Sequence, residues 1–367
     1  MIIKVYAWIP RSYVHIAEIT EKIKRGVLND KITSFEDNGL VSFKVKEYEG
    51  YKDLSFVLDG DGLYSVSIKL PEVNPEKTAK DFYMKARNFI MNEIIKNFHK
   101  VTYTQIIEGV LPINYSTITM MSKEHQLKDY NKKRGGGLII YSDSDDNYMK
   151  DTFTFISGSV NNSVEQTADF YAFTNIISHF FYEMMNKMEQ YHNGTKEVIR
   201  LLEYEPNSKL INSAYLNLDL VKKDATESWA KVEQAIDCLI RKKNSFDSMR
   251  MSAQLKLFAS TIGVTNNFIK LSADRDYILS LWTLLINHLE HVDTAVEARI
   301  NYKSMINNRT NQWLSLINTG FILAAVLIGL FMINSGALNN IYNFIALIIT
   351  WVITYEASSY FILKKNH

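Results

Sequence analysis

No charged residue occurs between Thr310 and Tyr355, and this gap constrains the chain more than any other feature. Two apolar stretches overlie it, 315–334 and 341–363, separated by Ser335-Gly336-Ala337-Leu338-Asn339-Asn340. A helix needs about 20 apolar residues to cross about 30 Å of hydrocarbon, so each stretch is long enough. The pattern predicts transmembrane helices at 315–334 and 341–363, an outer loop at 335–340 and a tail at 364–367. Arg299, Lys303 and Arg309 precede the first span, Lys364 and Lys365 follow the second, and the loop between carries no charge. Basic flanks stay inside, so the expected placement is a multi-pass inner-membrane protein with both termini cytoplasmic. Two spans alone enclose no aqueous path. Any channel reading therefore requires several subunits around one axis.

The rest of the chain divides by its helix breakers. All five prolines lie at or before Pro206, and ten of the fifteen glycines lie at or before Gly158. The later residues are thus free to be largely helical. The expected fold class is a cytoplasmic α/β N-terminal domain (1–160), then a helical cytoplasmic region (161–271), a stalk helix (272–314) and the two spans. Candidate strands at 2–8, 40–48, 54–58, 63–70, 116–121, 138–141 and 152–156 are rich in Val, Ile, Phe and Tyr and are punctuated by turns such as Asp59-Gly60-Asp61-Gly62. The stretch 78–100 has helical spacing. Ser163 and Gln166 form a capping box opening a helix that reads to about residue 202, and a second helix spans about 226–261. Ser272 reads as the N-cap of the stalk, with Asp274 and Asp276 in its first turn. An unbroken run to Asn334 makes that helix about 60 residues and on the order of 90 Å.

Charge and cysteine content exclude some classes. With 41 basic and 40 acidic residues the net charge is +1, so no nucleic-acid partner is expected. The one cysteine, Cys238, permits neither an intrachain disulfide nor a thiolate cluster and reads as a packed thiol. No Ser-His-Asp order, Cys-His pair or dinucleotide loop is present, so a non-enzymatic role is expected.

The approach to the first span is polar in an ordered way. Asn307, Asn311, Leu314 and Asn318, continued by Ala325 and Gly329, fall on one helical face. Amides facing lipid are costly, so this face points to a pore or to an interhelical hydrogen-bonded contact. Glu356, in the second span, is either a buried functional carboxylate or an interfacial one.

This arrangement resembles the CorA family of divalent-cation channels. Asn308-Arg309-Thr310-Asn311 is similar to the family's Asn-Lys-Thr-Asn segment at the start of its first span. Gly329-Leu330-Phe331-Met332-Ile333-Asn334 is similar to the stretch that closes that span. The resemblance covers the last hundred residues, and over the N-terminal domain it is architectural. It implies a homo-oligomer, a pentamer, with Met332, Ile333 and Asn334 at the outer mouth in place of the family's Gly-Met-Asn. That altered signature, and the lack of dense acidic runs, make the chain look more like the divergent CorA-type proteins of type III CRISPR defence. Such a resemblance implies a membrane-permeabilising effector gated by a nucleotide messenger, an adenylated S-adenosylmethionine. The alternatives are a magnesium, cobalt or zinc transporter, whose ligand is a divalent cation, and a membrane-tethered signalling protein without a pore.

Three further clusters have two readings each. Lys132-Lys133-Arg134 runs into Gly135-Gly136-Gly137, and basic side chains beside glycines can hold a nucleotide phosphate. The run lacks P-loop spacing and leads into a strand, which equally fits a solvated loop. Ser142-Asp143-Ser144-Asp145-Asp146-Asn147 has oxygen ligands for a cation but lacks the EF-hand glycine and distal glutamate, so it also fits a polar turn. His288 and His291 on the stalk are spaced either for an intersubunit metal or as exposed polar residues; no metal is assigned.

Overall fold

The computed structural model of the chain describes residues 1–10, 16–28, 31–37, 40–98, 113–143, 151–204 and 208–334, with a few isolated positions between 345 and 356. The chain forms two compact units: Met1–Gly194 with Leu220–Asn287, and Thr195–Asp219 with His288–His367.

The first unit is built on a nine-stranded sheet. Its strands are β1 (Ile2–Trp8), β2 (Ile32–Asp37), β3 (Val41–Tyr48), β4 (Tyr51–Leu58), β5 (Leu63–Lys69), β6 (Tyr115–Met121), β7 (Asn131–Gly135), β8 (Leu138–Ser142) and β9 (Asp151–Ser157), in the order β2-β3-β4-β5-β1-β6-β9-β8-β7. Every pairing is antiparallel except β6 with β9. All seven strands expected from composition are present. The two missed, β2 and β7, are the edges of the sheet, where an exposed face replaces the apolar signal; β7 is exposed through Arg134.

Because side chains alternate across a strand, the central β1 separates two faces. Ile3, Val5 and Ala7 join a core with α2 (Pro75–Phe89), whose Phe82 and Phe89 are fully buried. Phe56 stacks on Phe43 at 4.5 Å there and meets Phe89 at 6.2 Å. Pro75 suits the first turn of α2, where a missing N–H costs nothing. A π-helical turn (Ile90–Ile95) and a short α3 (Lys96–Phe98) continue α2, and α1 (Ile16–Lys24) turns Ile19 and Ile23 into the same core. Lys4, Tyr6 and Trp8 point the other way. Trp8 meets Phe180 of α4 (Asn162–Tyr204) edge-on at 5.1 Å, and Lys4 reaches Glu165 of the same helix at 2.5 Å.

The helices on that side differ from expectation at their ends. Asn161, not Ser163, caps α4: its Oδ1 accepts from the Val164 N–H at 3.0 Å. The helix expected at 226–261 is two, α5 (Ser208–Ser248) and α6 (Ala253–Ile262). Ser252 starts α6 by accepting from the Leu255 N–H at 3.2 Å, and Gly263 ends it in the left-handed region at φ +98°. Straight after that glycine comes α7 (Val264–Asn334), a single helix of 71 residues. Ser272 lies inside α7, its hydroxyl bonded back to the Phe268 carbonyl at 2.8 Å, so it is not a cap. The expected long, uninterrupted helix is present and starts at Val264, eight residues before Ser272.

The two-span expectation is corrected. Among the described residues no helix is long and apolar enough to cross a membrane. Up to Val326, where α7 is described side chain by side chain, Asn311, Gln312, Ser315, Asn318 and Thr319 interleave with the apolar residues, and the clean run 321–326 is far short of a span. The side chains of 330–334 and nearly all of 335–367 lie outside the described residues. The fold class therefore stands as an α/β unit with long helices, and the transmembrane helices, the membrane assignment and the inner-membrane placement fall together.

Candidate functional site

The basic run followed by three glycines forms the β7–β8 hairpin. Gly136 and Gly137 occupy its tip with φ of +61° and +82°, the geometry of a two-residue turn that favours glycine twice. Gly135 has a different reason: a Cβ there would lie 1.9 Å from Thr261 Oγ1, because the strand end is pressed against α6. Two of the three basic residues turn to one carboxylate. Lys132 pairs with Glu124 and lies 5.6 Å from the Tyr141 ring centroid, and Arg134 approaches the same Glu124 at 3.8 Å. All three, Lys133 included, are exposed on an edge strand and enclose no cavity among the described residues.

The glycines behind them do line one. A cavity of about 430 Å³ is bounded by Gly136, Gly137, the start of α4 (Asn161, Ser163) and the start of α6 (Ser252, Gln254), with Arg250 beside it. Two helix N-termini thus aim into one space. The first N–H groups of a helix have no intrahelical acceptor, and the macrodipole adds about half a positive charge at each end. Arg250 has no ion-pair partner among the described residues, and no carboxylate lines this cavity. The space is electropositive and rich in hydrogen-bond donors, which suits a phosphate.

A second cavity adjoins it along one helix face. It measures about 330 Å³ and is lined by Leu63, Phe170, Phe173 and Met249 and by Gln166, Asp169, Lys242 and Ser245. Ser163 of the first cavity and Gln166 and Phe170 of this one follow each other at three and four residues, about one turn apart. Met249 and Arg250, one lining each cavity, are consecutive.

The walls of this second cavity are held from below. Phe170 packs edge-on against Phe246 at 5.3 Å and against Phe268, on the first turns of α7, at 6.4 Å. Asn267 of α7 donates to Thr174 and Asn175 of α4 at 3.1 and 3.2 Å. Asp169 Oδ1 accepts from the Tyr6 hydroxyl and lies 3.3 Å from Lys4 Nζ. Burial raises Asp169 above the ordinary aspartate range, and Lys4 and Tyr6 offset this only in part. Its side chain is nonetheless 39% accessible, because it opens onto the cavity. Burial also works against the charge of Lys242, but Asp59 and Asp61 outweigh it and raise its pKa. Those aspartates belong to the β4–β5 turn, where Asp59 Oδ1 accepts from the N–H groups of Asp61 and Leu63, both at 2.9 Å.

Of the other expected site residues, Asn307, Asn311, Leu314, Asn318, Ala325 and Gly329 all lie on α7 in the second unit. Asn307 and Asn311 are exposed, while Leu314, Asn318, Ala325 and Gly329 are half-buried, so the expected face is partly shielded. Asn318 Oδ1 is buried without a hydrogen-bond partner among the described residues. Met332, Ile333 and Asn334 close α7, and their side chains lie outside the described residues. Asp143 accepts from the Phe153 N–H at 2.5 Å, and residues 144–147 of that cluster lie outside the described residues. Among the described residues no group of three metal-ligating side chains is found. Cys238 is the packed thiol expected, 1% exposed.

The residues that sequence reasoning missed are Asn161, Ser252, Arg250 and Asp169. Asn161 and Ser252 do carry a local signal, since each precedes a helix as a capping residue; Arg250 and Asp169 carry none, because their meaning depends on which helices lie beside them. No known protein family matches this chain, and neither the curated proteins nor the solved structures include one similar to it.

Proposed function

We propose that this chain is a ligand-responsive signalling protein whose first unit binds a small phosphate ester of the nucleotide class. The observation that carries the reading is the pair of adjoining cavities, one electropositive at two helix N-termini and one walled by Phe170 and Phe173. A phosphate suits the first, and a planar organic group suits the second, where aromatic side chains supply contact area and a few polar groups fix orientation. The nucleotide ligand expected from the basic run is kept in this reading, but the phosphate-holding group is Arg250 rather than Lys132, Lys133 or Arg134.

The output passes through α7. Phe170, a wall of the ligand cavity, touches Phe268, so a ligand that repositions Phe170 acts on the base of a helix of 71 residues. Binding biases α7 only to the extent that the ligand prefers one arrangement over another. Farther along, Tyr302, Met305, Leu316, Leu323 and Val326 are exposed at steps of three, eleven, seven and three, which keeps them on one broad face of the helix, as a helix–helix seam requires. Exposed apolar residues in that register are best covered by other copies of α7, so the protein works as a homo-oligomer.

Titration calorimetry of the full chain with AMP, CMP and inorganic phosphate tests the first part, and light scattering with and without ligand tests the second. Nucleotide binding that Arg250→Ala weakens, in a multi-subunit particle, supports the reading. Heat-silent titrations with all three probes overturn the ligand assignment, and a monomer at every concentration overturns the seam.

A further inference from the structure

The aromatic cavity carries a charge that its own walls leave uncompensated. Lys4 is shared by two carboxylates, Glu165 at 2.5 Å and Asp169 at 3.3 Å, so this group keeps one net negative charge. The neighbouring group is balanced: Arg241 meets Asp61 at 2.7 Å, and Lys242 meets Asp59 and, at 3.5 Å, Asp61. Lys242 lines the cavity with its charge already matched, whereas Asp169 lines it with charge to spare.

Asp169 is also held in position. Its Oδ1 is taken by the buried Tyr6 hydroxyl and by Lys4, both projecting from the middle strand of the sheet. Its Oδ2 has no hydrogen-bond partner among the described residues, while the side chain opens onto the cavity. An ionised carboxylate only accepts hydrogen bonds, so this oxygen asks for a donor. A carbonyl edge in the same place would set lone pairs against a negative charge.

Resting on the nucleotide reading above, we propose that Asp169 is a specificity-determining residue that selects ligands whose organic part presents an amino or cationic donor. The occupied site is then dipolar, with the phosphate among Arg250 and the helix starts and the amino group against Asp169. Phe170 and Phe173 line one wall, three residues apart on α4, and favour a planar or cationic group against it.

Matched nucleotide pairs test this without changing the phosphate or the sugar. AMP and IMP differ by an amino group replaced by an oxo group, and CMP and UMP differ in the same way. With the wild-type full chain, calorimetry is expected to give AMP and CMP at least ~10-fold tighter binding than IMP and UMP, since a site built to bond a donor discriminates against its absence. Asp169→Asn, whose amide both donates and accepts, is expected to bring each pair to within about threefold of one another while inorganic phosphate binds unchanged. The wild-type comparison stands even if the variant does not fold, and Tyr6→Phe, which removes only the hydroxyl that holds Oδ1, is expected to give an intermediate preference. Equal binding of all four nucleotides to the wild type overturns this inference and leaves the nucleotide reading intact. A preference that survives in a folded Asp169→Asn chain overturns the assignment to Asp169. No binding of any nucleotide or of phosphate overturns the nucleotide reading itself, and this inference with it.

Discussion

The two faces of one sheet have been put to different uses. Toward α2 the strands present Ile3, Val5, Ala7, Phe43 and Phe56, packed with Phe82 and Phe89 into an aromatic core. Toward α4 and α5 the same strands present Lys4, Tyr6 and Trp8, and the space beyond them holds charge and a cavity. A single strand, β1, therefore contributes alternately to stability and to the candidate site. The lesson is that a two-residue period can carry both tasks, provided each face has its own covering layer.

The largest break in this comparison is expected on the α2 face. Phe89→Ala removes a fully buried ring that touches Tyr48 and Phe56, and should cost roughly 3–5 kcal/mol in chemical denaturation. Where the variant still folds, its nucleotide affinity should be unchanged, because no atom of that ring reaches the cavities. The opposite signature is expected on the other side. Arg250→Ala should leave stability within about 0.5 kcal/mol, since the residue is exposed, and should weaken nucleotide binding by about 1.5–3 kcal/mol, the worth of a charge-assisted hydrogen bond. A loss of stability as large as the loss of binding would erase the distinction between the faces.

An intermediate effect concerns a carboxylate away from both cavities. Burial alone would raise Glu72, but bonds from the Ser122 hydroxyl, the Lys123 and Ser122 N–H groups and His125 outweigh it and lower its pKa to about 2. A carboxylate depressed on folding contributes stability that is present above its unfolded pKa of about 4.5 and is lost as pH falls toward about 2. Glu72→Gln should cost about 1–2 kcal/mol at neutral pH and flatten the acid limb of the denaturation profile. Asp169 should act in the opposite sense on binding. Its pKa is raised by burial, with Lys4, Tyr6, Glu165 and Lys242 around it, so affinity for amino-bearing nucleotides should begin to fall at a higher pH than an ordinary aspartate would give. Calorimetry across an acidic series reads this, and a pH-independent AMP affinity would contradict it.

The smallest expected effect is at the basic run. Lys132→Ala removes an exposed pair with Glu124, so both stability and nucleotide binding should change by less than about 0.5 kcal/mol. A large loss of binding there would return the phosphate to the edge strand and away from Arg250.

Much of the fold could be read from periodicity and punctuation. Seven strands, the helix beginning near residue 162 and the long C-terminal helix follow from alternation, from the confinement of proline to the first part of the chain and from apolar steps of three and four. The candidate site was legible only in fragments. Gly135-Gly136-Gly137 stood out, but for phosphate chemistry attributed to the lysines beside it, whereas the glycines are there for a tight turn and a close approach to Thr261. The transmembrane reading rested on the uncharged run and its two apolar stretches, but in the part of α7 described residue by residue, interleaved amides keep the helix short of a span.

The chain by itself determined what short-range physics determines: which segments are strands, and that residues 264–334 hold no helix breaker strong enough to stop them. Only the tertiary structure decided that the starts of α4 and α6 face one space, that Arg250 stands beside them with no ion-pair partner among the described residues, and that Asp169 meets Lys4 and Tyr6 from a strand more than 160 residues earlier. The reason is that charge and donor groups act over a few ångströms in space, while sequence records only neighbours along the chain. A site assembled from β1, α4 and the α5–α6 junction therefore has no local pattern to betray it.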